Sequence, residues 1–437
     1  MLPDESMTLS QLGIAASFYT FNHYTDQTFT WESSDTNVVV IENGNGKLHA
    51  VGVGTATITG SKVYNGDTFQ VSFKVVVLLE DGTPYYIRNR TCRTYIQASG
   101  NSANMQYFSD SNVQQWEITH RGDGYYTIMS RSNNLVLSVN PNKRFHIDEP
   151  LVLVNYVAGN EDQLWQITNT KNGSYKISAK STESSSALVA TLADSDVGEP
   201  IVQGTYVDNS SYLDEWYLCI SAAEPEWEYQ GKDTSFCWAT CAKIVASKYI
   251  QDPPVSMQTA AVYVKLGVKT DDPTDEQISE ADESGTIEEA IEAAEYILGA
   301  KDMFYEADGY IYSESVLRQV LADGNIVVVS RGNYGTSENK SSDSTSGGRN
   351  GGHSIVVYGY YEIAEDSGVY AYRVLDPGRE TEGEGTHNCT YEWLCNGNNG
   401  ISNIDLNPYR DGFIWDGTWV SKKGEWFDDM IEWRGVS

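Results

Sequence analysis

The hydrophobic pattern of this chain changes near residue 230, from short alternating runs to longer runs with a helical period. In TFQVSFKVVV (68–77), apolar residues alternate with Gln70, Ser72 and Lys74. This period of two predicts a strand with one buried face. Glycine-rich turns separate several other short apolar runs before it. The part of the chain before residue 230 is therefore predicted to be β-structure.

The clearest helical period lies in TIEEAIEAAEYILG (286–299), which places its isoleucines and alanines on one face. Thr286 and Glu289 have the spacing of a capping box, and Gly299 is a typical helix end. A second amphipathic helix is predicted to begin after Ser313. Both helices fall in the C-terminal half of the chain.

Buried strands follow these helices. NIVVVS (325–330) is a continuous apolar run, and HSIVVYGYYEI and VYAYRVLD form two further runs joined around AEDSG. The short polar connection predicts an antiparallel hairpin. Helices followed by an antiparallel sheet indicate an α+β domain for the C-terminal region.

An internal repeat occupies the middle of the chain. Trp116, Trp165 and Trp216 recur at intervals of 49 and 51 residues, each in a similar apolar context. Ile128 and Ile177 repeat in step with them, again 49 residues apart. Three all-β units of this size are predicted to close into one barrel, with each tryptophan in a shared core.

Composition limits the function. The chain has 437 residues and a formal net charge of −32, so several domains and an acidic surface are expected. Such a surface repels phosphate backbones, which argues against nucleic acid as a partner. No run of about 18 apolar residues is present, so no membrane span is predicted. The acidic stretch 271–283 does not fit an EF-hand loop and is predicted to be a solvated loop and helix start.

Targeting and cysteine signals are few. MLPDESMTLS lacks the basic region and apolar core of a signal peptide. Six cysteines form neither a disulfide framework nor a zinc pattern, so neither a metal nor an organic cofactor is expected. Cys92 with Cys219, and Cys389 with Cys395, remain open as disulfide pairs, because connectivity does not follow from sequence.

Two resemblances set the N-terminal domains. FTWESSDTNVVVI and GKLHAVGVGTATITG resemble a bacterial Ig-like domain of group 2, which assigns 1–79 to an all-β sandwich and implies a spacer on a secreted or surface protein. The repeated Gln-x-Trp signature, replaced by Asp-Glu-Trp in the third unit, resembles the ricin-type β-trefoil lectins. This resemblance assigns 80–222 to a trefoil, followed by a short linker at 221–229.

Glycan binding by the trefoil is left open. In that family an aspartate early in each repeat holds the sugar, but Gln97, Ser138 and Ala190 stand at the corresponding places here. Tyr156 and Tyr206 are candidates for stacking on a sugar ring. Their alternative role is that of ordinary surface tyrosines.

A nucleophilic cysteine is the candidate chemistry of the third region. Cys237 stands at the start of an apolar helical run, where a helix N-terminus lowers the pKa of a thiol. His353 precedes the first strand of the hairpin and Asp376 ends the second, so both side chains are expected at the same end of the sheet. An imidazole oriented by a carboxylate is the arrangement that activates a thiol.

Gln230, FCWAT, GGHSIVVYGYY and VLDPG, in this order, resemble the bacterial branches of the papain-like cysteine peptidases. The resemblance assigns 223–437 to a papain-like domain, with Cys237 as nucleophile, His353 as base and acid, Asp376 as orienting group and Gln230 as oxyanion donor. The interval of seven residues between Gln230 and Cys237 is one longer than usual, and Phe236 replaces the more frequent Trp, Gly or Ser.

Two other residues are weighed beside this triad. Cys241 lies one helical turn beyond Cys237 and is expected to be a core residue. His387 is expected in a loop and is kept as a second candidate for the base.

The sequence thus predicts a secreted or surface-bound bacterial cysteine peptidase that acts on proteins or peptides. Its trefoil is a candidate for docking on glycans at a host or bacterial surface. Two alternatives remain. One is a glycan-binding adhesin with an inactive peptidase-like domain, and the other is a thiol transpeptidase or amidase that acts on cell-wall peptides. The sequence does not decide the oligomeric state.

Overall fold

The chain folds as two compact units, Met1–Ile220 and Ser221–Ser437. The structure is a computed structural model. The residues it describes are 6–8, 30–42, 47–64, 67–77, 79, 82–144, 146, 148–170, 174–182, 186–190, 197–205, 213–222, 224–232, 234–308, 310–332, 352–364, 367–396, 414–420 and 430–432.

The N-terminal part of the first unit is a pair of small antiparallel sheets. Its strands are β1 (Ser6–Thr8), β2 (Thr30–Ser33), β3 (Val39–Glu42), β4 (Lys47–Ala50), β5 (Gly54–Tyr64) and β6 (Asp67–Val77). Among the described residues the sheet orders are β1-β4-β3 and β2-β5-β6. On β6, Val75 and Val77 are buried while Ser72 and Lys74 are exposed, which confirms the predicted alternation.

Thirteen further strands and a short 3-10 helix form the rest of this unit's described residues. They are β7 (Pro84–Asn89), β8 (Tyr95–Ser99), β9 (Ser102–Gln106), β10 (Gln115–His120), β11 (Tyr125–Ser130), β12 (Val136–Ser138), β13 (Glu149–Pro150), β14 (Val152–Val154), the 3-10 helix Glu161–Gln163, β15 (Trp165–Asn169), β16 (Tyr175–Ala179), β17 (Ser186–Ala190), β18 (Ile201–Thr205) and β19 (Trp216–Ile220).

The predicted tryptophan repeat builds the core of these strands. Trp116, Trp165 and Trp216 are at most 1% exposed and belong to one hydrophobic cluster. The indole of Trp116 donates to the carbonyl of Ile96, and that of Trp165 donates to the carbonyl of Leu137. The indoles of Trp116 and Trp165 therefore satisfy their N–H groups on the backbone while they fill the shared core.

The glutamine of the signature holds a loop in each of the first two repeats. Gln114 accepts from the N–H of Ser109 and donates to the carbonyl of Tyr107, over 2.9 and 2.7 Å. Gln163 makes the equivalent pair with Val157 and Asn155, over 2.7 and 2.9 Å. An ionised aspartate only accepts hydrogen bonds, so Asp214 in the third repeat cannot reproduce both contacts.

The Ig-like part packs directly on the barrel. The side-chain amide of Asn169 donates to the carbonyl of Val51 over 3.2 Å, and Val53 belongs to the barrel's hydrophobic cluster. A Cβ on Gly52 would lie 2.6 Å from the Asn169 amide nitrogen. Glycine is therefore required at this close approach. Within the first unit the Ig-like part therefore shares core contacts with the barrel. A spacer that only separates two domains would not need such contacts.

The second unit combines helices with an antiparallel sheet. Its elements are α1 (Cys237–Ser247), α2 (Met257–Leu266), α3 (Asp275–Ala281), α4 (Ile287–Leu298), β20 (Tyr305–Asp308), β21 (Tyr310–Tyr312), α5 (Glu314–Ala322), β22 (Val327–Gly332), β23 (Gly352–Glu362), β24 (Tyr370–Leu375), α6 (Glu382–Gly385), β25 (Thr386–Cys389), α7 (Tyr391–Asn396), β26 (Ile414–Val420) and β27 (Met430–Glu432). In the described part of the chain the main sheet has the order β20-β26-β22-β23-β24-β25, and β21 pairs with β27.

The predicted helices and the hairpin of this unit are confirmed. Thr286 and Glu289 form the capping box of α4, and Gly299 ends it in a left-handed conformation with φ 71°. Ser313 caps α5. The strands β23 and β24 pair as an antiparallel hairpin, and α1 packs against β23. The acidic stretch also behaves as predicted, because α3 begins within it with a capping box of its own.

The predicted linker at 221–229 is instead part of the second unit. Ser221 forms an antiparallel bridge with Ile250, and the N–H of Glu226 donates to the hydroxyl of Ser247 over 2.7 Å. The Glu- and Pro-rich composition suggested an exposed connection. The backbone at Ser221, Ala222 and Glu226, however, bonds to residues at the end of α1 or just after it.

Replacing Gln163 by alanine should lower the free energy of unfolding by about 2 kcal/mol, because the buried Gln163 amide loses its two hydrogen bonds to the backbone of Asn155 and Val157. Gln166, three residues away and exposed, is the matched control, and its replacement should change stability by less than about 0.5 kcal/mol. Urea unfolding followed by tryptophan fluorescence measures both. Equal stability of the two variants would contradict the role given to the signature glutamine.

Candidate active site

Cys237 is the first residue of α1, as predicted. Phe236 precedes the helix and makes no side-chain capping bond, so its side chain does not occupy the N–H groups of the first turn. The preceding turn is held by Asp282, whose carboxylate accepts from the N–H of Ser235 over 2.6 Å. The apolar face of α1, from Trp238 to Ala246, is buried and fixes the helix in place.

The hairpin brings His353 and Asp376 together. Val357 on β23 pairs with Val374 on β24, which puts the start of one strand beside the end of the other. The Nε2 atom of His353 lies 2.6 Å from the Oδ1 atom of Asp376. The His353 side chain is 18% exposed, and that of Asp376 is 3% exposed. The carboxylate is therefore enclosed, while the ring keeps an open edge.

The surroundings of Asp376 compensate its buried charge. Its Oδ1 atom also accepts from the N–H of Gly378 over 2.9 Å, and the Nε atom of Arg379 lies 3.4 Å from Oδ2. Burial would raise the pKa of Asp376, but the charge and hydrogen bond of His353 hold it well below its ordinary 3.8, helped by Gly378 and by the charge of His387. A Cβ on Gly378 would lie 2.9 Å from the His353 ring, so this turn has no room for a side chain.

The thiol and the imidazole stabilise each other's charged forms. Burial would lower the pKa of His353, but the charge and hydrogen bond of Asp376, and then Cys237, raise it to about 10. Burial would likewise raise the pKa of Cys237, but His353 brings it below its ordinary 9.0. The backbone N–H groups of Ser354 and Trp238 act in the same direction. The arrangement favours a thiolate–imidazolium pair.

Gln230 lies close to this centre. Its backbone N–H donates to the carbonyl of Pro377, the residue after Asp376, over 3.0 Å. Its side-chain nitrogen donates to the carbonyl of Thr234 over 3.0 Å, and the hydroxyl of Thr234 donates back to the carbonyl of Gln230 over 2.8 Å. The carboxamide therefore folds over its own loop. One of its two side-chain N–H groups is used by this contact within the loop.

The other candidates separate from the centre. Cys241 is fully buried, and this burial raises the pKa of its thiol well above 9.0. The nearby charges of Cys237 and Asp376 raise it as well, by a smaller amount. His387 lies on β25, opposite Val374, rather than in a loop, and its ring meets that of Trp393 at 5.6 Å. It acts on Asp376 through its charge and is not the residue bonded to it over 2.6 Å.

All six cysteines are free thiols. Neither of the two pairs left open by the sequence, Cys92 with Cys219 and Cys389 with Cys395, forms a disulfide. In the described part of the chain no group of three or more His, Cys, Asp or Glu side chains has the arrangement of a metal site. None of its helices is long and apolar enough to cross a membrane.

The expected sugar-binding places in the barrel carry no acid. Gln97 accepts from the amide of Gln114 over 3.3 Å, and Ser138 is buried and donates to the carbonyl of Val139. Ala190 lies on β17, and its side chain is outside the described residues. Tyr156 is 39% exposed and its ring lies 4.7 Å below the guanidinium of Arg121, whereas Tyr206 lies outside the described residues.

Two residues of the site were not predicted from the sequence. Trp227, in the supposed linker, donates from its indole to the carbonyl of Asp376 over 2.9 Å. Asp282, from the acidic stretch, anchors the turn before Cys237. The only signal for Trp227 was a large aromatic residue within a polar segment, and Asp282 had none.

Two family models match the first unit. The bacterial Ig-like domain of group 2 matches residues 2–75. The ricin-type β-trefoil lectin domain-like family matches residues 68–146 and 112–204. No curated protein matches the chain.

Three solved structures illustrate what the chain is similar to. A designed threefold-symmetric protein, ThreeFoil, is 23% identical with a TM-score of 0.28, over 31% of this chain and 96% of its own. The ricin B-like lectin of Macrolepiota procera, in complex with lactose, is 20% identical with a TM-score of 0.28, over 32% and 97%. An exo-β-1,3-galactanase from Clostridium thermocellum is 19% identical with a TM-score of 0.29, over 40% and 39%.

Identities and TM-scores this low say nothing about what the chain binds. The family matches agree with the strands and with the tryptophan core described above. Within the chain, residues 2–75 thus match the bacterial Ig-like domain of group 2 and residues 68–204 match the ricin-type β-trefoil lectin domain-like family, and neither match reaches the unit that holds Cys237.

Proposed function

We propose that this protein is a cysteine peptidase whose second unit hydrolyses peptide bonds with Cys237, His353 and Asp376. The observation that carries the proposal is the 2.6 Å contact between the His353 ring and Asp376. The same ring lowers the pKa of the Cys237 thiol at the start of α1. Nucleophile, base and orienting carboxylate converge from three separate elements. A buried structural cysteine needs no such partners.

The reaction follows from the charges of this centre. The Cys237 thiolate attacks the peptide carbonyl, and the oxyanion that forms is stabilised by N–H donors at the start of α1 and by Gln230. His353 then gives its proton to the leaving amine, which releases the first product and leaves an acyl-enzyme. A water molecule, deprotonated by His353, attacks the thioester carbonyl; the C–S bond then breaks, the acyl group leaves as a carboxylic acid, and the thiolate–imidazolium pair is restored. Asp376 holds the ring throughout and stays ionised.

The pKa shifts define where the pair is stable. His353 has a raised pKa, so its charge stabilises the folded protein fully below its unfolded value of 6.5, and this contribution is lost as pH rises through about 10. Asp376 has a depressed pKa, so its contribution is present above its unfolded value of 3.8 and is lost as pH falls through the lower folded value. The centre is thus expected to be intact across neutral pH.

The same groups serve other thiol acyl transfers. Transpeptidation or amide hydrolysis on cell-wall peptides would use the identical nucleophile and base, and the products would distinguish them. A secreted or surface location is proposed on the Ig-like and lectin-type domains that precede this unit.

A second function is glycan binding by the trefoil. It is favoured by the family match over 68–204 and by the exposed Tyr156. Gln163 bonds to the backbone of the residues on either side of this tyrosine. Binding of a surface glycan would raise the local concentration of substrate without any new contact in the active site. If the second unit were inactive, this binding alone would make the protein an adhesin.

Replacing Cys237 by alanine should reduce hydrolysis of fluorescent casein by roughly 10³-fold or more, because the nucleophile is lost. Cys241→Ala, one helical turn away, is the matched control and should keep most of the activity. Both rates are measured on the full chain. Wild-type-like activity of the Cys237 variant would refute a thiol mechanism.

Cys237 should react with iodoacetamide at pH values well below 9, because His353 lowers its pKa. Burial raises the pKa of Cys395 to about 11 and raises that of Cys241 well above its ordinary value, so both should stay unmodified in the folded protein. In His353→Ala the onset of Cys237 alkylation should move to higher pH. Peptide mass mapping across a pH series reads each site. An unchanged onset would exclude the thiol–imidazole pair.

The catalytically dead full chain, Cys237→Ala, should bind specific glycans on an array if the trefoil acts as a lectin. Tyr156→Ala should weaken binding by about 10-fold, the cost of one lost stacking contact. Tyr361→Phe, a change at an exposed tyrosine of the other unit, is the control. Absence of binding to every glycan, or no effect at Tyr156, would remove this role.

A further inference from the structure

The segment before α1 reaches the acid of the triad through its backbone. The indole Nε1 atom of Trp227 donates to the carbonyl oxygen of Asp376 over 2.9 Å. Three residues later, the N–H of Gln230 donates to the carbonyl of Pro377 over 3.0 Å. One short stretch of chain therefore holds two consecutive carbonyls of the turn after β24. Trp227 and Asp376 are 149 residues apart in sequence.

The indole also has a fitted place. The N–H of Asp376 donates to the carbonyl of Gly385 over 2.8 Å, and a Cβ on Gly385 would overlap with the Trp227 ring. The Trp227 ring also stacks with that of Tyr229 in its own segment. The two ring planes are inclined by 18°, and their centroids are 6.4 Å apart. The Trp227 ring is thus held between Tyr229 of its own segment and the backbone at Asp376 and Gly385.

The hydrogen bond from Trp227 holds the backbone of Asp376 at a point where the pairing of the sheet has ended. The pairing of β24 with β23 ends at Leu375, and its pairing with β25 ends at the same residue. Asp376 is therefore the first residue past the ladder, and Pro377 has no N–H to continue it. Its carboxylate must nevertheless stay within hydrogen-bond reach of His353, where a displacement of about 1 Å costs much of the rate.

We infer that Trp227 is a positioning residue of the catalytic centre, whose indole N–H fixes the backbone of Asp376 and so keeps its carboxylate on His353. This inference rests on the proposed peptidase function. It also makes the segment 224–230 a working part of the second unit, although its composition is that of a linker. Loss of the indole N–H would let the carboxylate move, and the imidazolium would lose part of its stabilisation.

The test removes the N–H in two ways. Trp227→Phe deletes it with part of the ring, and incorporation of β-(3-benzothienyl)alanine at 227 keeps the size of the ring and deletes the N–H alone. Trp415→Phe is the matched control, since its buried indole also donates to a backbone carbonyl, that of Gly417, over 3.1 Å. Circular dichroism establishes that each variant is folded.

Both changes at Trp227 should lower kcat about 10-fold with KM nearly unchanged, as expected when a group acts on the transition state alone. The basic limb of the pH profile should move down by about one unit, because the proton on His353 is held less firmly. Trp415→Phe should move neither. The benzothienyl variant decides the matter if Trp227→Phe does not fold.

An unchanged kcat and basic limb in a folded benzothienyl variant would overturn the inference. An equal loss in Trp415→Phe would overturn it too, since the effect would then be general. The pH profile of Cys237 alkylation provides a readout that needs no substrate. Failure of the wild type to cleave peptides would defeat the proposed function, while the alkylation profile would still show whether Trp227 acts on His353.

Discussion

The structure of the second unit depends on one buried carboxylate being kept ionised. Removing Asp376 from water costs several kcal/mol unless its charge is paired and its oxygens accept hydrogen bonds. His353, the N–H of Gly378 and Arg379 supply these partners, at 2.6, 2.9 and 3.4 Å. Once the carboxylate is ionised, the imidazole beside it is held protonated, and the thiol beside the imidazole loses its proton more easily.

Much of the surrounding fold serves to place these three groups. The hairpin brings the histidine and the aspartate to one end of the sheet, and α1 packs against the same β23 so that its first residue meets the ring. Glycines leave the space, since side chains at Gly378 and Gly385 would meet His353 and Trp227. In the trefoil, by contrast, neutral glutamine amides and indole N–H groups satisfy backbone atoms around an apolar core.

Local periodicity made the regular elements predictable. The capping box of α4, the start of α1 and the β23–β24 hairpin can be read from adjacent residues, and their register implied that His353 and Asp376 meet. The tryptophan interval likewise predicted a shared core. Contacts between distant segments leave no such signal. Asp282 acts 47 residues from Ser235, the Asn169–Val51 bond joins two domains, and Trp227 stood in a segment whose composition indicated a linker.

Stoichiometric labelling with an epoxide inhibitor specific for activated thiols tests the central idea most directly, because it requires a thiolate in an accessible site and not merely a cysteine. Mass mapping of the intact, folded chain at neutral pH should find one label, on Cys237, in proportion to the loss of peptide cleavage. A label on Cys241 or Cys395, the absence of any label on Cys237, or fully labelled protein that still cleaves peptides would contradict it.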